Sequence, residues 1–200
     1  MRFFRPWFIA RWLYPDALFW IKTNDRICCL TFDDGPHPQS TPGLLDLLDK
    51  FNVSAVFFCT GRAAERYPGL MDEIRNRGHQ IGNHGFDHPD GWKLSSGKFL
   101  DDVNAAAELT SDKFFRPPYG HLTCKQYRLL RKSYRIIFWD VMPYDFDRSF
   151  DPALAIEVLR RKLRPGSVIV LHDTPGLSLD ITRRFLEYAG SEGYTHILLS

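Results

Sequence analysis

Nowhere in its 200 residues does this chain run apolar for the roughly 20 positions that a bilayer-spanning helix needs. Cysteine is scarce: Cys28, Cys29, Cys59 and Cys124, with no CxxC pair among them. That spacing excludes a cysteine zinc site and a dithiol redox motif. The four are expected to be buried reduced thiols acting as small apolar residues, a usage that leans toward a reducing compartment. Neither charge predominates, since 26 basic and 24 acidic residues leave a net charge of +2. Without a basic stripe, nucleic acid is not an expected partner. Internal repeats, low-complexity tracts and long Gly/Ser linkers are all missing, which argues for one continuous domain. What remains is an ordinary globular composition, 44% hydrophobic and 25% charged. A chain of this length buries roughly 70% of its unfolded surface and needs no disulfide staples.

The first 22 residues are aromatic and basic. Arg5, Pro6, Arg11, Pro15 and Asp16 interrupt every apolar run there, and no small-residue cleavage site follows. The segment is therefore not a signal peptide of the usual form. The expected location is cytoplasmic, with the inner membrane surface as an alternative. Phe3, Phe4, Trp7, Phe8, Trp12 and Tyr14, with the neighbouring arginines, suit a membrane interface. The plainer expectation is a segment packed across the bottom or side of the folded domain.

From residue 23 on, short β-branched or aromatic runs alternate with longer amphipathic stretches. Strands are expected at 27–32, 54–59, 79–83, around 114–115, at 135–139, 167–171 and 196–199. Helices are expected after Thr41 and Pro42, over 71–77, 96–109, 123–133, 152–163 and 180–189, with Thr41 capping the first of them. Seven β-then-α units imply parallel strands with right-handed crossovers. Periodicity alone leaves open whether the sheet closes as a barrel or stays open and doubly wound.

The polar clusters fall just past the strand ends. Thr31-Phe32-Asp33-Asp34-Gly35-Pro36 ends the first strand, and His84 and His88 follow the third. Arg116-Pro117-Pro118-Tyr119 follows the fourth, Asp145 the fifth, and His172-Asp173 the sixth. In parallel α/β folds the C-terminal strand ends meet around one site. Two histidines four apart with one carboxylate can hold a divalent metal and leave positions open for water and substrate. The carboxylate is expected from the Asp33-Asp34 pair. Two adjacent ionised aspartates repel unless compensated, so a metal takes one while Arg116 holds the other, free to accept a proton from water. His172, expected across the site, can give a proton to a leaving amine, and Asp145 can keep it charged. Asp173 is expected to bond the backbone of the turn at residues 174–176.

Taken together, these residues resemble the polysaccharide deacetylases, carbohydrate esterase family four, whose five short motifs occur in order between Thr31 and His172. The resemblance implies a distorted (β/α)7 barrel as a single domain over residues 23–200, with 1–22 as an appended segment. It implies Asp33 as general base, Asp34, His84 and His88 as metal ligands, and Arg116 as the residue positioning the base. The Tyr119 N–H would stabilise the oxyanion, and His172, tuned by Asp145, would be the general acid. The substrate pocket is expected at Leu171, Pro118 and Phe146. The implied cofactor is zinc, or cobalt or another divalent ion, and the implied activity is removal of acetyl from an N-acylated amino sugar in an oligosaccharide, wall fragment or glycolipid. A small non-sugar amide, imide or formamide is the alternative substrate for the same site. Three positions depart from the family pattern. Gly85 replaces a Ser or Thr and costs the metal loop a hydroxyl, while Met142 and Phe146 stand where Asp and Trp are common. Those departures point to a sugar-bearing substrate other than chitin.

Overall fold

The computed structural model describes residues 8–111, 113–147, 149 and 151–200. Phe3, Phe4 and Trp7 lie outside them. Seven parallel strands form one sheet: β1 (Ile27–Asp33), β2 (Val56–Cys59), β3 (Gln80–Asn83), β4 (Phe114–Phe115), β5 (Arg135–Ile136), β6 (Ser167–His172) and β7 (Thr195–His196). The order is β5-β4-β3-β2-β1-β6, and β7 pairs the start of β1. Beyond β5 the chain stays extended, and Val141 bridges to Ile169 in β6, so the sheet curls back on its other edge. The sheet is thus a curled parallel barrel, as the resemblance implies.

β1 and β6 are the two longest strands, paired from Cys28 with Ser167 to Asp33 with His172. Nearly every residue of both is buried. Such strands read as continuous apolar runs, since helices cover one face and side chains fill the other. The helices are α1 (Phe8–Leu13), α2 (Thr41–Phe51), α3 (Gly61–Arg66), α4 (Pro68–Asn76), α5 (Ser96–Ala107), α6 (Cys124–Leu130), α7 (Pro152–Lys162) and α8 (Ser178–Ser191). Several are capped as their sequence suggests. Ser95 accepts from the Lys98 N–H, and Thr123 with Gln126 forms a capping box.

Three expectations need correction. Thr41 does not cap α2, because its hydroxyl is committed to Asp173 at 2.5 Å. Short α3 was not expected; Thr60 caps it directly after β2. Of the four thiols, Cys124 is exposed at the first turn of α6, while Cys28, Cys29 and Cys59 are buried. The N-terminal segment packs along the barrel at one seam of its sheet. Leu18 bridges to Ile137 and Trp20 to Ser167, filling the seam between β5 and β6. Tyr14 and Phe19 are buried against Phe138, whose ring stacks on both. That packing carries α1 up to the mouth of the barrel.

Candidate active site

Asp33 ends β1 with its carboxylate nearly fully buried. Its partner is Arg116, placed by the strand end of β4 and wholly buried, with its guanidinium 4.1 Å over the Phe58 ring. The guanidinium reaches Asp33 Oδ1 at 2.6 Å, Thr31 Oγ1 at 2.6 Å and the carbonyls of Ile137 and Phe138. The Thr31 hydroxyl in turn donates a hydrogen bond to the Ile169 carbonyl, tying the arginine to β6. Burial pushes the Asp33 carboxyl up, but Arg116, helped by His84 and His172, outweighs it and holds the group below the usual carboxylate range. Asp33 is therefore ionised and fixed in direction.

Next to it, Asp34, His84 and His88 bring three potential ligand atoms within 4.8 Å of one another. Asp34 Oδ1 lies 3.3 Å from His88 Nε2 and 3.6 Å from His84 Nε2. Left-handed φ values of 75° at Asp34 and 55° at His88 turn these side chains inward from their loops. The ring chemistry suits a metal. His84 Nδ1 lies 2.8 Å from the Arg116 carbonyl, which can only accept, so Nδ1 donates there and Nε2 is the nitrogen that faces Asp34. Burial, and then the neighbouring His84, pull His88 down to about 4, leaving it neutral as a ligand must be. The donor set of two imidazoles and one carboxylate fits a divalent ion.

The loop between the two histidines is held by Asn83 and Asp102, two side chains that the sequence did not single out. Gly85 has φ 76°, and a Cβ there would meet Pro89 at 2.7 Å and Asp102 at 2.8 Å, so a side chain is excluded. The Asp102 carboxylate on α5 accepts the N–H groups of Phe86 at 2.7 Å and Asp87 at 3.1 Å. Asn83 Oδ1 accepts from Gly85 N–H at 2.8 Å. The loop at Gly85 is thus tied to the neighbouring helix by a carboxylate.

His172 ends β6 and pairs in register with Asp33, so it stands beside that residue, with β1 and β2 between it and the histidines that follow β3. Asp145 grips it twice, accepting the His172 backbone N–H at 2.7 Å and meeting Nδ1 at 2.9 Å. Burial opposes the imidazolium, but Asp145, with Asp33 and Asp34, overrides it and raises His172 to about 9. The ring is thus protonated at neutral pH with Nε2 aimed away from Asp145. Asp173 does not bond the following turn. It accepts the hydroxyls of Ser40 at 2.6 Å and Thr41 at 2.5 Å, and a Cβ on Gly35 would strike it. This carboxylate fastens the loop after β1 to the end of β6.

These groups open on one cavity of about 660 Å³. Asp33, Asp34, His84, His88 and His172 line its polar end. Tyr119, Trp92, His121, Trp139, Met142, Tyr144 and Phe146 add aromatic and apolar walls, and Ile9, Ala10, Leu13 and Tyr14 supply one from α1 and the residue after it. Phe146 packs edge-on against His172 with ring centres 4.6 Å apart. The other two expected pocket residues, Leu171 and Pro118, do not line it. Leu171, paired with Phe32, is wholly buried in the core, and Pro118 is buried in a short 3-10 turn. Sequence reasoning also left Thr31, Asp102, Trp92 and His121 without roles. Thr31 alone carried a signal, since it stands two residues before Asp33 and so on the same strand face.

A curled parallel barrel with a two-histidine, one-aspartate cluster, an arginine-held carboxylate and a carboxylate-held histidine at its C-terminal mouth has the build of a hydrolytic enzyme. The polysaccharide deacetylase family pattern matches residues 21–134, more than half of the chain. This chain belongs to the polysaccharide deacetylase family. It is 36% identical over 160 residues to a peptidoglycan-N-acetylglucosamine deacetylase of Bacillus cereus, covering 76% of this chain and 58% of that relative. It is 34% identical over 161 residues to a chitooligosaccharide deacetylase of Azorhizobium caulinodans, covering 76% of each. The crystal structure of the Bc1960 peptidoglycan N-acetylglucosamine deacetylase, in complex with 4-naphthalen-1-yl-N-oxidanyl-benzamide, aligns with a TM-score of 0.88 at 29% identity. That alignment covers 96% of this chain and 95% of the other. The chain thus spans somewhat over half the length of the Bacillus cereus relative.

Proposed function

We propose that this chain hydrolyses the N-acetyl group of an N-acetylated amino sugar. The observation that carries the reading is the convergence of a metal-competent triad, an ionised Asp33 and a protonated His172 on one cavity. Asp34, His84 and His88 would hold a divalent ion, zinc by its donor preference, which when bound would polarise the acyl carbonyl and acidify an attacking water. Asp33, held by Arg116, takes the proton of that water as it adds to the carbonyl carbon. The Tyr119 N–H, on a turn with φ 59°, is the donor to the developing oxyanion. His172 then protonates the departing amine as the C–N bond breaks, giving acetate and a free amino sugar. A small non-sugar amide would leave most of the cavity unfilled.

The finer reading is an amphiphilic sugar presented at a membrane surface. It is supported by the apolar wall from α1 and by Trp12, 81% exposed on that helix. Among the described residues no helix is long and apolar enough to cross a membrane, so contact would be peripheral. The test is acetate release by zinc- or cobalt-loaded protein from chitooligosaccharides, peptidoglycan fragments, N-acetylglucosaminyl alkyl glycosides and small amides. Metal-dependent release from any of the sugars supports the class, and preference for the alkyl glycosides supports the finer reading. Release confined to small amides overturns both.

A further inference from the structure

Beside the metal cluster stands a stack of rings that the chemistry above does not use. Trp92 is 63% exposed, which is high for so large an apolar side chain. One face of its indole lies flat on His121, with centres 3.6 Å apart and planes 8° from parallel. His121 in turn leans toward Tyr119 at 5.7 Å, and Tyr119 meets the ring of His88 at 4.5 Å. A continuous row of rings therefore leads from a metal ligand out to Trp92 along one wall of the cavity.

The row is built into the fold. Asp90 Oδ1 faces His121 Nδ1 at 2.9 Å and accepts the Trp92 backbone N–H at 3.0 Å. The Trp92 indole N–H donates to the Leu122 carbonyl at 3.4 Å, and Gln126 Nε2 donates to the Gly91 carbonyl at 2.8 Å. A Cβ on Gly91 would lie 2.2 Å from the His121 carbonyl, so the two loops touch backbone to backbone. The indole is thus immobilised with one face covered and the other presented.

We propose that Trp92, backed by His121, is a stacking subsite for a second pyranose ring, the one next to the sugar being deacetylated. A pyranose presents a face of polarised C–H groups, and the negative π-face of an aromatic ring complements it. Because the ring is ordered before binding, contact costs little further conformational freedom. The inference rests on the proposed sugar deacetylation and goes further, since it makes the substrate an oligosaccharide and not a monosaccharide.

The experiment measures acetate release from N-acetylglucosamine and its trimer, with calorimetric trimer binding to the Asp33→Asn protein with and without the Trp92 change. Trp92→Ala should raise KM and Kd for the trimer about tenfold, the worth of roughly one good ring contact. Its kcat should stay within about twofold, because the contact is made equally in ground and transition states. Trp92→Phe, which restores a face, should recover most of the loss, and His121→Ala should lose part of it by freeing the indole. If trimer KM and Kd are unchanged in Trp92→Ala while acetate is still released, the subsite is refuted and the deacetylase reading stands. If wild-type protein neither binds nor deacetylates any sugar, both are overturned.

Discussion

At the floor of the cavity, Arg116 is wholly buried and gives hydrogen bonds to four separate acceptors, and Asp145 holds His172 through both backbone and ring. At the rim, Trp92, Tyr119 and Phe146 are 63%, 60% and 45% exposed, and each also packs ring against ring. The floor moves protons, so each group must sit at one place in one charge state, and the protein over-determines it with partners. The rim meets the substrate, so it needs faces left open. A change at the floor should therefore strike the rate, and a change at the rim should strike affinity.

The largest expected effect tests the floor. Asp33→Asn keeps size and shape but cannot take a proton, so activity should fall about 10²- to 10⁴-fold. Metal content should be unchanged by mass spectrometry, since Asp34, His84 and His88 remain. Retention of more than about a tenth of the activity would remove Asp33 as the base and erase the contrast with the rim.

A smaller effect tests what lies between floor and rim. Asp102 touches no substrate, but its carboxylate fixes the two residues midway between His84 and His88. Asp102→Ala should weaken metal binding about 10- to 100-fold in a competition with a chelator, as loss of a group supporting metal ligands commonly does. Unchanged affinity would mean that the positive φ of Gly85 and the Asn83 bond fix the loop alone.

This division also explains what could be read before the fold was known. Asp33, Asp34, His84, His88, Arg116 and His172 stand directly at or after strands, where the chain's own alternation marks the place. Their convergence follows from strand order. Asp102 lies mid-helix on α5 and meets its loop only through the packing of α5 beside β3. No spacing in the sequence announces that contact. Trp92 and His121 are 29 positions apart on two loops, and nothing local shows that they stack. Asp173 was misread for the same reason, because its partners Ser40 and Thr41 lie more than 130 residues away. Leu171 was placed in the pocket by the family resemblance alone, whereas strand alternation turns it, with its partner Phe32, into the core.

The smallest expected effect at neutral pH concerns His172, the floor residue that touches the rim through Phe146. Its folded value, raised to about 9 chiefly by Asp145 against the cost of burial, means that the acid is protonated throughout the neutral range. Activity that needs the protonated form should be level below that value and fall as pH rises through about 9. Asp145→Asn removes the charge that raises it, so the alkaline limb should move down toward the ordinary 6.5. At pH 7 a group at that ordinary value is about one quarter protonated, so the variant should lose only about fourfold there and far more at pH 9. The check is kcat/KM from pH 5 to 10 for both proteins. A limb that stays near 9 in the variant would assign it to another group and leave Asp145 with a purely structural hold on His172.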